Sequence, residues 1–202
     1  MLDAALIKQC ADPSLRPAIV EQFVTAAGSS DPLAVTVISD GRLILIPKPT
    51  SADEALAIVR QYVGQAVVRV GLTQFPAGVG VKEAADLKPD LVDACENLRN
   101  GTTMFAKVLH IVAKWYGNPK SDDVFRQIFE DALYAWKTGE FEGVSVFQAQ
   151  DPGAPIELPQ QREAHSGDEE PAAVSTTEKQ TQTNEDIGQM GIRIDLSRIG
   201  GK

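Results

Sequence analysis

Histidine and cysteine are scarce in this sequence, and that scarcity limits the chemistry open to it. His110 and His165 are the only histidines, so neither a Ser–His–Asp triad nor a multi-histidine metal site is readily built. Cys10 and Cys95 are too few for a metal cluster and too far apart for a CxxC motif. They are either buried thiols or one disulfide. There is no GxGxxG and no GxxxxGKS/T, and the glycines of Pro76-Ala77-Gly78-Val79-Gly80 read as loop punctuation rather than a phosphate cradle. The sequence predicts no metal and no cofactor. Carboxylate chemistry remains open. A glycan-cleaving site needs a carboxyl group in a partly apolar groove, where its pKa rises enough for it to donate a proton near neutral pH. The junction Ala27-Gly28-Ser29-Ser30-Asp31-Pro32 is a plausible place for one, yet no glutamate occurs between Glu21 and Glu54. Asp31 is the acid available there.

The elements around that junction are legible. Residues 2–10 form a short helix with Leu2, Leu6 and Ile7 on one side. Pro17 suits the first turn of the next helix, where its missing N–H costs nothing, and Gly28 is a natural stop. Leu33–Ser39 and Arg42–Ile46 flank Asp40-Gly41, a strong hairpin signal. Ser51 and Glu54 make a capping box for a helix through Tyr62 to Gly64. Ala66–Leu72 reads as a strand or as extended chain. Pro89 begins a helical stretch that Gly101 breaks and Met104–Tyr116 resumes; Ser121 caps a last helix, Asp122–Lys137, closed by Gly139. The fold class is therefore α+β, mostly helical with one small β-hairpin. Lys107, His110 and Lys114 share a helical face opposite Met104, Val108, Leu109, Val112 and Trp115. They read as the solvated side of a core helix rather than a basic contact stripe.

Composition divides the chain in two. All twelve aromatic residues lie at or before Phe147, and from Asp151 onward the chain is rich in Pro, Gln, Glu, Thr and Ser, with ten acids against five bases. Such a segment buries too little surface to offset its ordering entropy. The expectation is a folded domain over 1–150 and a disordered acidic tail over 151–202. Ile192, Ile194 and Leu196 alternate near the end of that tail, a pattern that suits docking by strand addition. The net charge of −9, acidic in both parts, argues against direct nucleic-acid binding. No apolar run reaches membrane-spanning length. MLDAALIKQC shows no secretory pattern, which points to the cytoplasm.

Segments in family order carry a resemblance. QCADPSLRPAIVEQFVTAAGSSDPLAV is similar to the opening of the lytic transglycosylase domain of type IV secretion and conjugation systems. There a cysteine precedes a helix ending in Glu-Ser, followed by a spacer and Pro-x-Ala-Ile. Cys10 matches the cysteine, and Pro32, Ala34 and Val35 match the last part. Gly71-Leu72-Thr73-Gln74 resembles Gly-Leu-Met-Gln. Asp93-Ala94-Cys95-Glu96-Asn97-Leu98 with Gly101 resembles Asp-Pro-Cys-x-Asn-Leu and its following glycine. Ala135-Trp136-Lys137-Thr138-Gly139 resembles Ala-Tyr-Asn-Thr-Gly.

Over residues 5–145 the resemblance implies a lysozyme-like fold, a glycan groove lined by Gln74 and Trp136, and a disulfide between Cys10 and Cys95. The disulfide would require an oxidising compartment, so the periplasm stands against the cytoplasm. One departure bears directly on activity. The family's catalytic Glu falls on Ala27 and the next serine on Gly28. General acid–base help is worth on the order of 10²–10⁴ in rate, and alanine cannot supply it. Segments such as KPDLVDACENLRNG and YAWKTGEFEGVSVF also resemble the TraH proteins encoded with conjugal-transfer genes on plasmids. Together these resemblances imply a conjugation protein that no longer cleaves and that contacts peptidoglycan or transfer-apparatus subunits. An active enzyme with Asp31 as displaced acid and a cytoplasmic interaction module are the alternatives.

Overall fold

The computed structural model describes residues 2–81, 83–119 and 121–153. The first of the chain's two compact units, Met1–Gln161, holds every element below; the second, Arg162–Lys202, lies outside the described residues. So do Ile192, Ile194, Leu196 and the rest of the expected tail from residue 154 on. The architecture is α+β.

Two helices open the chain. Helix α1 (Ala4–Cys10) starts at Asp3, whose carboxylate accepts from the Ala5 N–H and satisfies an otherwise orphaned donor. Helix α2 (Pro17–Ala27) has its proline at the first helical position and buries Val20, Phe23 and Val24. The Asp40-Gly41 turn has positive φ at both residues, the backbone that a tight two-residue hairpin requires. It joins β1 (Val35–Ser39) to β2 (Arg42–Ile44). Helix α3 (Ala52–Tyr62) follows, with the Ser51 hydroxyl accepting from Glu54 N–H.

Beyond α3 the sheet grows past the single hairpin expected from sequence. Strand β3 (Val67–Val70) pairs antiparallel with β1, and β4 (Phe75–Pro76) pairs with β3, giving the order β2-β1-β3-β4. A long-range partner settled what the local sequence left open: Val35 lies opposite Val70, and Val37 opposite Val68. A second, two-stranded hairpin, β5 (Glu140–Phe141) with β6 (Val144–Ser145), follows the last helix.

Helix α4 (Ala94–Trp115) corrects another expectation. It runs unbroken through Gly101, while Pro89 heads only a short 3-10 turn, Pro89–Leu91. Gly101 is a packing glycine, because a Cβ there would sit 2.2 Å from the Thr73 hydroxyl. Helix α5 (Asp122–Thr138) ends at Gly139 in the left-handed conformation; Ser121 occupies its N-cap position without a side-chain capping bond.

Two apolar clusters hold these elements. In the larger, between the helices, Phe23 stacks on Phe105 with centroids 3.9 Å apart, and Trp136 meets both rings edge-on. The smaller lies between α3 and the inner sheet face, around Val37, Leu56, Val59, Val68 and Val70. Of the polar stripe of α4, Lys114 is exposed as expected, whereas Lys107 and His110 are half-buried against the chain that follows β6. The Lys107 ammonium donates to the Phe147 and Ala149 carbonyls, and His110 Nδ1 lies 2.9 Å from the Asp151 carboxylate. Trp115, expected on the core side, is largely exposed and rests on Tyr116 and Phe141.

Candidate functional site

The quoted motifs, far apart in sequence, meet at one place. The end of α2 is pressed against the backbone of Gly71–Gln74: Ser29 N–H donates to the Leu72 carbonyl at 2.8 Å. A Cβ at Gly28 would stand 2.1 Å from that same carbonyl oxygen. This gives a physical reason for glycine where the transglycosylase motif has serine.

Asn97 is the hub beneath. Its side chain is buried, its Oδ1 accepts from both the N–H and the hydroxyl of Thr73, and its Nδ2 donates to the Val70 and Leu91 carbonyls. All of the amide's hydrogen-bonding directions are thus filled from inside the protein. Gly71, at positive φ, leaves room for that side chain; a Cβ there would come within 2.4 Å of it. Trp136 closes the arrangement by donating its indole N–H to the Thr73 carbonyl at 3.1 Å.

The two residues expected to line a groove are committed elsewhere. Trp136 is fully buried between Phe23, Phe105 and Phe147. The indole is too large and apolar to stay in water when the helical core offers a close-packed site and an acceptor. This position therefore packs the core instead of facing an open surface. Gln74 is half-buried in the left-handed backbone region, with its side chain accepting from the Thr36 hydroxyl and donating to the Gly71 carbonyl. Those bonds hold a conformation that non-glycine residues seldom adopt.

Ala27 and Asp31 lie at the junction where the resemblance sets its acid. Ala27 ends α2 half-buried against the helical core. Asp31 lies four residues on, where its carboxylate meets the Lys48 ammonium at 3.0 Å and accepts from Leu33 N–H. The hydrogen bond from Lys48 and then that from Leu33 hold its carboxyl below the usual aspartate range. Proton donation near neutral pH requires the opposite shift. Beside Gly28–Ser30 lies a hollow of about 440 Å³, walled by Leu2, Leu6, Val24, Pro32, Leu72 and Ala94. Its carboxylate, Asp3, is occupied in capping α1.

A larger hollow of about 620 Å³ lies over the other face of the sheet, bordered by Ile38, Val67, Arg69, Gly139 and Phe147. Arg69 was not anticipated. Only 7% exposed, it donates to the Lys137 carbonyl at 2.8 Å and lies over the Phe147 ring, tying β3 to the end of α5. Burial lowers its pKa to about 10, which leaves it charged at neutral pH. Cys10 and Cys95 form a disulfide that joins α1 to α4. Among the described residues no cluster of side chains could hold a metal ion, and no helix is long and apolar enough to cross a membrane.

Comparison with known proteins places the chain in a family. The TraH_2 family model matches residues 1–201. The chain belongs to the TraH_2 family. It is thereby a conjugal-transfer-associated protein. It is also 71% identical over 201 residues to "Uncharacterized protein y4dP" of Sinorhizobium fredii (strain NBRC 101917 / NGR234), and the match covers 100% of both chains. No solved structure matches. Full-length family coverage includes the tail as well as the helices and sheet.

Proposed function

We propose that this TraH_2 protein is a non-cleaving, lysozyme-like component of the conjugation apparatus that acts by contacting transfer subunits. The observation that carries the reading is the end of α2, where Ala27 stands in place of an acid and Asp31 is held ionised by Lys48. Support for the lysozyme-like part comes from the order of elements and motifs. A helix ends at Ala27, a hairpin follows, and the Gly71–Gln74, Asn97–Gly101 and Trp136 segments converge behind it. Protein contacts are favoured over glycan contacts because the interior already occupies both Gln74 and Trp136. The Cys10–Cys95 bond supports a place in an oxidising compartment such as the periplasm.

The test is digestion of purified peptidoglycan by the natural protein and by its Ala27→Glu variant, with mass spectrometry for anhydro-sugar products. The natural protein is expected to release none. Release by the variant alone would mean that only the acid is missing from an otherwise competent groove. Silence from both would point to a groove that has closed as well. Product from the natural protein would sink the reading and return a displaced carboxylate to consideration.

A further inference from the structure

The outer edge of the sheet has the properties of an interface. Strand β2 is the terminal strand in the order β2-β1-β3-β4. Its hairpin register sets Arg42 opposite Ser39 and Ile44 opposite Val37 across the two-residue turn. In an antiparallel ladder these alternate residues exchange hydrogen bonds with β1, so the N–H and C=O of Leu43 point away from the sheet. Burial keeps a period of two beyond the strand itself: Ile44 and Ile46 pack into the α3 cluster, whereas Leu43 and Leu45 are 63% and 93% exposed. The alternation of burial thus runs past the end of β2 to Ile46, and the segment is apolar on both faces. A row of apolar side chains also crosses the outer face, because Leu43 lies opposite Ile38 and Ile38 opposite Val67, itself 53% exposed. Edge strands are commonly protected by charge, proline or a bulge at their centre. Here the interior of the edge, Leu43 to Ile46, is wholly apolar, and such guards lie only at its ends.

We propose that two copies of this chain join through β2, antiparallel and centred on Ile44. The ends of the edge define that register. The Asp40-Gly41 turn limits it on one side, and Pro47, which has no N–H to donate, limits it on the other. The window between them, Arg42 to Ile46, has Ile44 at its middle. Full antiparallel overlap of two such windows sets Leu43 against Leu45 of the second copy, twice by symmetry, covering both exposed leucines. It also brings Asp40 against Lys48 of the second copy. Lys48 is 81% exposed and has further ammonium donors beyond its contact with Asp31. A self-complementary pairing of this kind is isologous and closes at the dimer, forming one continuous eight-stranded sheet without a runaway edge. This inference stands apart from whether the protein cleaves glycan.

The test uses the full chain with its disulfide intact. Sedimentation from low-micromolar to submillimolar concentration is expected to show a monomer–dimer equilibrium. Leu45→Lys, a change on an exposed side chain, should leave the circular dichroism unchanged and weaken the dimer by on the order of tenfold or more. For register, Leu43→Cys and Leu45→Cys proteins are mixed under mild oxidation. A mixed 43–45 disulfide should form in preference to 43–43 or 45–45, since directly opposed hydrogen-bonded residues have the Cα spacing a disulfide accepts. A chain that remains monomeric throughout, or a dimer indifferent to Leu45→Lys, overturns the proposal. The former would leave the edge for an extended segment of another protein. Preference for 43–43 or 45–45 crosslinks overturns the register.

Discussion

Asn97→Ala is expected to lower the free energy of unfolding by about 3–5 kcal/mol, measured by urea titration monitored by circular dichroism. The magnitude follows from what the amide leaves behind. Its removal strips an acceptor from Thr73 N–H and hydroxyl and a donor from the Val70 and Leu91 carbonyls. The site is buried, so water does not readily replace those bonds, and each abandoned polar group costs about 1–3 kcal/mol. The Thr73 hydroxyl recovers part of this through the Asn97 carbonyl at 3.4 Å, which keeps the total below a simple sum. Asn97→Asp separates hydrogen bonding from packing. It keeps the shape and the acceptor for Thr73, yet turns the donor to Val70 and Leu91 into a second oxygen facing two carbonyls. At neutral pH it should cost at least as much as alanine. A loss below about 1 kcal/mol for both variants would mean that the hub is not what holds the three segments together.

The chemistry of that hub explains what could be read from sequence and what could not. The helices, the hairpin turn and the caps at Asp3 and Ser51 follow from local rules, because period, turn type and cap residue each act within a few positions. The α+β class was therefore legible. The continuity of α4 through Gly101 was not. Locally, glycine weakens a helix by about 1 kcal/mol; here Thr73, 28 residues away in sequence, requires the missing side chain. An isolated glycine inside a helical pattern was nonetheless a signal of close packing. Strand β3 was ambiguous for the same reason, since its partner β1 lies across the whole of α3. The burial of Trp136 was not legible, because a resemblance transfers position in the chain but not burial. Substituting indole for a phenol at the end of a core helix adds apolar area, and the core takes it. Arg69 gave no warning at all. In sequence it is one charge among valines, and only the fold brings it to the end of α5.

Reduction of the Cys10–Cys95 bond is expected to remove about 2–5 kcal/mol of stability, with a fall of roughly 5–20 °C in melting temperature for a unit of this size. The bond spans 85 residues, a long loop whose closure strongly restricts the unfolded chain. It also acts on a vulnerable element. Helix α1 has only seven residues, fewer than an isolated helix needs to persist. Apart from the disulfide, it is held to α4 by the packing of Ile7 and Cys10 and by the bonds of Asp12 to Thr102 and Thr103. Amide exchange should therefore report lost protection first in residues 4–11, while α4, α5 and the sheet stay protected. Paired Cys10→Ser and Cys95→Ser substitutions should reproduce the effect without reductant. An unchanged melting temperature in that double variant would remove the bond from the fold's energetics. The same chemistry reads out compartment. Protein taken from cells after rapid alkylation should migrate faster without reductant than with it if the chain works in an oxidising space. If the thiols are instead alkylated in full, the chain lives in a reducing one, α1 is then loosely docked there, and its partners are cytoplasmic.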